Sequence, residues 1–483
     1  MGKSKNKTAL KVFALIVAVT LLSGSLVFFW YKTQSPINEF LTVGFDENRA
    51  YQDEVALLSN GPRMTGSEAG RKGAEYIAAQ FRNAGLKNVM IEGFPTTMFE
   101  VEKAEAKILI TGAFGKVTLD EKEIEHIKDF TVIGYSGSTS GTEKLEIIYI
   151  GNGSTSDFQN NDLKGKAALV SNLDTSIFAR QCIDAMDGGA KVLILINDVY
   201  GGNTTNYAPI YKSCDVSDSN GETVPIVDVY PNFNVVTLMV SKGVGDDITN
   251  AVKFKVKRAF IELDINVWRG KRDTLVVTGD IVGVKYPDQF IMIGGHHDTV
   301  YNGPGAVDNT CGAVTVVEMA RNLANFKVEK TMKFATFGGE EEGLFGSRAW
   351  VKAHKEVVEK NLVAYLNLDM PNINVDKLHD NTSSIAVSTN DSIPIFNAIK
   401  NFTLESYPKF KKYQTDIVYG KMIGGSDYDP FRRLNKTTSS FWGNGLYGYH
   451  TYLDTIDWIN PESLSLAGHI YGTYLLYTAQ VVR

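Results

Sequence analysis

Two histidines and three acidic residues, each in a short polar motif, stand out in the second half of this 483-residue chain. They are His296 in GGHHDTV, Asp308 in GPGAVDNTCG, Glu341 in FGGEEEGLFGS, Asp369 in LNLDMP and His450 in YHTYLDT. Neutral imidazoles and carboxylates form a donor set suited to borderline divalent ions, zinc foremost. If five side chains are to hold two ions, one carboxylate must bridge them. Two dications then balance three carboxylates and a hydroxide, the neutral count that a buried cluster needs. Hydrolysis is the chemistry such a pair supports, because it polarises a carbonyl and activates water. Singly, each residue has an ordinary alternative. Asp308 could cap a helix, and Glu340–Glu342 could open a solvated helix whose dipole suits acidic side chains. Asp369 could lie in a turn, and His450 in a loop. Their joint occurrence at strand ends selects the metal reading.

The elements that must position them are legible from about residue 256 onward, where short apolar strands alternate with helices. FIMIGG, KFATFGG, LVAYLNLDM and SSIAVSTN read as strands buried on both faces. Between the first two, Ala313, Val316, Val317, Ala320, Leu323 and Ala324 form one apolar helical stripe. The last helix opens with Asn460 as N-cap and Pro461 in its first turn. This alternation predicts an α/β fold with a mixed, mostly parallel sheet flanked by helices. His296, Glu340, Glu341 and Asp369 each fall where a strand ends, at the edge that lines the ligand crevice of such sheets. Residues 35–100 give a helix, GSEAGRKGAEYIAAQFRNAG, closed by Gly85, and then a short strand, NVMIEGF. Residues 101–255 change texture to short strands between turns, with EKLEIIYIG, GKAALVSN and KVLILIND the clearest. No metal motif occurs there, and the lone His126 reads as a surface or turn residue.

Composition is that of a globular protein, and the net charge of −6 with no basic block beyond the N-terminus argues against nucleic acid as a partner. Lys3, Lys5, Lys7 and Lys11 precede an uncharged run from Val12 to Trp30, about 28 Å as a helix and close to the bilayer core. That pattern predicts a membrane anchor with the N-terminus cytoplasmic and the rest outside the cell. The alternative is a cleaved signal peptide and a secreted protein. Outside the cell, Cys182 could join Cys214 and leave Cys311 free. Asn152, Asn203, Asn381, Asn390, Asn401 and Asn435 begin glycosylation sequons.

Taken together, the motifs closely resemble those of the double-zinc aminopeptidases, a family that also includes glutamate carboxypeptidase and the transferrin receptor. The resemblance runs over residues 35–483 and includes PRMTGSEAG at the first helix. It implies two zinc ions, one on His296, Asp308 and Asp369, the other on Asp308, Glu341 and His450. It makes Glu340 the general base, Asp298 the partner behind His296, and Tyr428 of GGSDYDPF a donor to the oxyanion. Asp454 is a candidate outer partner of His450, whereas His297 packs or hydrogen-bonds nearby. The middle region, through DLKGKAALVSN and AMDGGAKVLILIND, resembles the β-rich protease-associated domain, a lid or interaction module without chemistry of its own. The organisation this implies is an anchor or signal at 1–34, a peptidase domain at 35–100 and 256–483, and the inserted domain at 101–255. The expected activity is removal of N-terminal residues from peptides. A carboxypeptidase, for which Arg432 and Arg433 could hold the substrate carboxylate, and a glutaminyl cyclase-like transferase remain the alternatives. A receptor-like relative without catalysis would be expected to have lost ligands.

Overall fold

The computed structural model describes residues 40–482 apart from 116, 172–173, 175, 199–201, 204–205, 220, 254–256, 376, 378–383, 392, 421–424 and 444–447. The run expected to anchor the chain, Val12–Trp30, lies outside the described residues. Among the described residues no helix is long and apolar enough to cross a membrane.

Helices α1 (Glu47–Leu58) and α2 (Glu68–Asn83) open on side-chain caps, Asp46 accepting from the Asn48 and Arg49 amides and Ser67 from that of Gly70. Gly85, at φ 86°, follows α2 in the left-handed conformation that lets the chain turn away. The strand that follows is far longer than the short one expected. It is β1 (Lys87–Gly112), 26 residues that cross position 100, where the sequence changes texture. Gly93 and Pro95 read as an interruption in the sequence. They are accommodated because this stretch of β1 is paired on one side only.

Strands β2 (Thr118–Ile124), β3 (Phe130–Val132), β4 (Glu143–Tyr149) and β5 (Ala167–Val170) follow, then helix α3 (Phe178–Asp187) and strands β6 (Val192–Ile196) and β7 (Val236–Val240). The three clearest strands of the middle region are thus β4, β5 and β6, and β4 to β7 run parallel. A second long strand, β8 (Lys257–Ile281), pairs antiparallel with β1 along its length and with β4. Its far end pairs with β10 (Lys330–Phe337), which is parallel to β9 (Tyr286–His296). Strands β11 (Leu362–Leu368), β12 (Ser384–Thr389), β13 (Gln414–Tyr419) and β14 (Thr437–Gly443) complete one 14-stranded sheet. Its order is β13-β12-β14-β11-β9-β10-β8-β4-β5-β6-β7-β3, with β1 paired to β8 and β2 to β1. The mixed sheet with flanking helices is the expected architecture.

Helix α4 (Cys311–Leu323) departs from the single apolar stripe, because all but two of its residues are buried. It packs against α1, α2, the sheet and the last helix, α8 (Pro461–Ala479), among the helices α5 (Phe345–Ala353), α6 (Ile393–Ser406) and α7 (Asp429–Arg433) of the same half. Its fully buried Glu318 is paired there, accepting twice from Arg49 at 2.7 and 2.6 Å with Arg321 3.2 Å away. Asn460 caps α8 by accepting from the Glu462 amide, as its sequence indicates. His126 is half-buried instead of at the surface, its Nε2 3.2 Å from the Tyr301 hydroxyl where the two halves of the chain meet. Cys182 and Cys214 are buried thiols with their sulfurs 2.7 Å apart, and Cys311 is buried apart from them.

Candidate metal centre and active site

Three neighbouring parallel strands deliver the site. His296 is the last residue of β9 and pairs in register with Phe337, the last of β10, while β11 ends at Leu368, just before Asp369. The glycine before His296 is demanded by packing, since a Cβ on Gly295 would stand 2.3 Å from the Leu368 carbonyl oxygen. The Glu340–Glu342 run is a tight turn, and helix α5 begins only at Phe345. These side chains therefore face into the crevice instead of serving a helix dipole.

Donor atoms of His296, Asp308 and Asp369 lie within 4.8 Å of one another, and so do those of Asp308, Glu341 and His450. Asp308 belongs to both groups. Its Oδ1 is 3.2 Å from His296 Nε2, and its Oδ2 is 3.3 Å from His450 Nε2. Glu341 Oε2 is 2.8 Å from His450 Nε2, and Asp369 Oδ1 is 3.6 Å from His296 Nε2. The residues fit divalent cations. The buried His296 Nε2 and Glu341 Oε1 have no hydrogen-bond partner among the described residues, an expensive arrangement that coordination would resolve. Two nitrogens and three carboxylates match zinc in donor type.

The charges act strongly on one another. Burial disfavours the charged form of His296, yet Glu340, Asp298, Asp308 and Asp369 outweigh it and hold its pKa well above the ordinary range. Burial likewise opposes the charge on His450, while Glu341 and Asp308 carry its pKa up to about 9. Asp308 is pulled the other way. The two imidazoles overcome its burial and leave its pKa below the usual carboxylate range. Burial, then neighbouring carboxylates, push Glu340 well up.

A web of hydrogen bonds fixes these groups. His296 Nδ1 lies 3.2 Å from the Asp298 carbonyl oxygen and 3.4 Å from its Oδ1, an arrangement that orients a ligand imidazole. Asp298 Oδ2 accepts from the Thr65 hydroxyl at 3.2 Å and from the Glu341 amide at 3.3 Å. The PRMTGSEAG stretch thus braces the centre from outside, with Thr65 accepting from Gly339 and Arg63 Nε donating to the His297 carbonyl at 3.1 Å. Asp454 supports Asp308 instead of His450, accepting from the amides of Val307 and Asp308 at 2.8 and 2.9 Å. Asn309 joins two ligand loops, accepting from the Met370 amide at 2.9 Å and donating to the Leu368 carbonyl at 2.8 Å. Met370 and His450 both adopt left-handed backbone, at φ 48° and 56°, at a cost of about 1–3 kcal/mol each that such bracing must offset.

Glu340 Oε2 is 3.9 Å from His296 Nε2, yet Glu340 is in neither donor group. Tyr428, with 9% of its surface exposed, is the residue before α7, and Asp369 and Glu340 act on its hydroxyl electrostatically. His297 takes no part in either group. Its Nδ1 is 3.1 Å from the Thr336 hydroxyl, and burial lowers its pKa to about 4. Arg432 and Arg433 are bonded to Asp429 on their own helix. Sequence reasoning missed Tyr211 and Lys212 in the middle region. The Tyr211 amide donates to the His450 carbonyl at 2.9 Å, and its own carbonyl is 3.1 Å from His450 Nδ1. A backbone carbonyl in a turn-rich stretch leaves no motif to find. Also unforeseen were Glu342 and Asp427, fully buried carboxyl groups beside the site.

A buried pair of cation-binding groups at the carboxyl ends of parallel strands is the arrangement of a hydrolytic metalloenzyme. Residues 277–475 match the model of peptidase family M28. Aminopeptidase YwaD from Bacillus subtilis (strain 168) is 27% identical over 443 residues, which cover 88% of this chain and 83% of that protein. A glutamate carboxypeptidase 2 homolog from Caenorhabditis briggsae is 23% identical over 525 residues, covering 87% and 67%. The solved structure of BSAP, a zinc aminopeptidase from Bacillus subtilis, shares the fold with a TM-score of 0.68 at 22% identity over 92% of this chain and 97% of that one.

Replacing Asp454 with Ala strips two buried amides of their acceptor next to Asp308. Zinc affinity, measured by chelator competition, should fall by about 10–100-fold. Unchanged affinity would show that Asp308 is held without it.

Proposed function

We infer that this chain is a zinc-dependent exopeptidase, an aminopeptidase that releases N-terminal residues from peptides. The observation that carries this reading is the position of Glu340, 3.9 Å from His296 of one donor group and adjacent in the chain to Glu341 of the other, yet in neither group. A carboxylate so placed is free to move protons. His296, Asp308 and Asp369 would hold one zinc ion, and Asp308, Glu341 and His450 a second. Such a pair supplies Lewis-acid polarisation of the scissile carbonyl and makes water a stronger nucleophile near neutral pH.

The chain's own residues do the rest. Glu340 accepts the proton of the attacking water and returns it to the leaving amine nitrogen. Burial first raises the pKa of the Tyr428 hydroxyl, so it stays protonated and donates to the oxygen on which charge develops. Asp298 and the Asp298 carbonyl hold the His296 ring in one tautomer. Glu340 also offers an acceptor to the ammonium group of an unblocked substrate. Arg432 and Arg433, the pair that favoured a carboxypeptidase, are engaged by Asp429 on their own helix, which supports the aminopeptidase reading.

Three outcomes follow. Wild-type protein should carry two zinc ions per chain by elemental analysis, and Asp308→Ala should carry neither. Glu340→Gln should keep both and lose about 10²–10⁴-fold in turnover, whereas Glu341→Gln should lose metal. Equal metal loss in the two glutamate variants would contradict the assignment. Leucyl peptides should be cleaved about ten- to a hundredfold better than their N-acetyl counterparts, the worth of one charged hydrogen bond. Comparable kcat/KM on both, or release of residues from the C-terminus alone, would instead establish the carboxypeptidase reading.

We further propose that the catalytic domain lies outside the cell on an uncleaved anchor, on the strength of the four lysines before Val12–Trp30. N-terminal sequencing of the mature protein should recover residues ahead of Val12. A mature terminus beyond Trp30 would show a cleaved signal.

A further inference from the structure

Lys212 reaches the site from the middle region, on the segment that holds His450. Its neighbour Tyr211 is bonded to His450 through both amide and carbonyl, and the Lys212 carbonyl accepts from the Gly134 amide at 2.9 Å. The Lys212 ammonium lies 5.0 Å from the centre of the Tyr449 ring, which is stacked on the His450 imidazole at 3.7 Å and 20°. Lys212 is hemmed in by protein yet keeps part of its surface open to solvent, as a side chain does in the wall of a cleft. Among the described residues it has no ion-pair partner within 4.0 Å. Burial disfavours its charge, and the carboxylates that attract it are Glu341, Asp308 and Glu340.

A lysine is almost never enclosed without a partner unless it serves one that comes and goes. Here the attracting carboxylates are metal donors and the proposed base. Once cations balance the donors, those carboxylates no longer serve the Lys212 amine, which stands on that wall beside an aromatic face and would hold its proton when an anion enters. The ligand class it fits is an anion entering with the substrate. A peptide has two sources of one, its terminal α-carboxylate and an acidic side chain. Only the first is present in every short peptide.

We propose that Lys212 is a specificity-determining residue that binds the free α-carboxylate of a dipeptide whose N-terminal residue is bound at the metal centre. The middle region then contributes a substrate contact to the active site, and the enzyme is tuned to very short peptides. This rests on the aminopeptidase reading, so the test separates the two.

The holoenzyme and its Lys212→Met and Lys212→Arg variants are compared on Leu-Gly, Leu-Gly-amide and Glu-Gly-amide. Metal content and melting temperature are followed in each. Lys212→Met should raise KM for Leu-Gly about ten- to a hundredfold and change Leu-Gly-amide less than about twofold, with Lys212→Arg recovering part of the loss. Equal losses on Leu-Gly and its amide, or lost zinc, would make Lys212 a structural residue and overturn the proposal. A loss confined to Glu-Gly-amide would overturn it in favour of an acidic side chain. Calorimetry with Leu-Gly and its amide in the Glu340→Gln background reads the same preference without turnover. If the wild type cleaves neither peptide but Lys212 still governs that binding difference, the aminopeptidase reading falls and the subsite stands.

Discussion

One carboxylate facing two imidazoles sets the terms for the rest of the site. Asp308 presents a different oxygen to His296 and to His450, and neither donor group is complete without it. Its position is enforced from three directions. Asp454 takes the amides of the loop, Asn309 ties that loop to the end of β11, and Thr310 is held by Arg63 and the Gly305 carbonyl. Each brace is itself buried, so the second layer of the site is as dry as the first. In such surroundings an unpaired charge is costly, and Asp308 holds its charge because imidazoles flank it.

The same low-dielectric setting explains the division of labour between two adjacent glutamates. Glu341 turns toward His450, and its amide is anchored on Asp298. Glu340 turns toward His296 at a longer distance and meets more negative than positive neighbours, which raises its affinity for a proton. One residue along a tight turn is enough to separate the proposed donor from the proposed proton carrier, because successive side chains there leave the backbone in different directions.

Much of this was legible in the sequence, for a definite reason. His296, Asp308, Glu341, Asp369 and His450 announce themselves because their chemistry resides in side chains, and because strands end beside them. The capping residue Asn460 was legible for the same reason. What was hidden works through the backbone or over long range. Tyr211 serves His450 with a carbonyl that any residue would provide. The full length of β1 was masked by Gly93 and Pro95, which look like a break until β8 is found alongside. The apolar stripe of α4 gave the face toward the sheet, while burial of the opposite side is decided by α1 and α8. Asp454 looked like a partner of His450 because it is near in sequence, but the chain folds back so that it meets Asp308.

The bond between Tyr211 and His450 also bears on the order in which the molecule becomes whole. These residues are 239 positions apart, and the donor groups themselves span β9 to the loop before α8. Closing so wide a loop is paid for in entropy before any local contact can reward it. The half-sites on either side of Asp308 therefore mature only after nearly the entire chain, middle region included, has found its place. Because metal binding is linked to folding wherever its donors come from distant segments, a cation held here would stabilise the whole chain, middle region included, and not one loop alone.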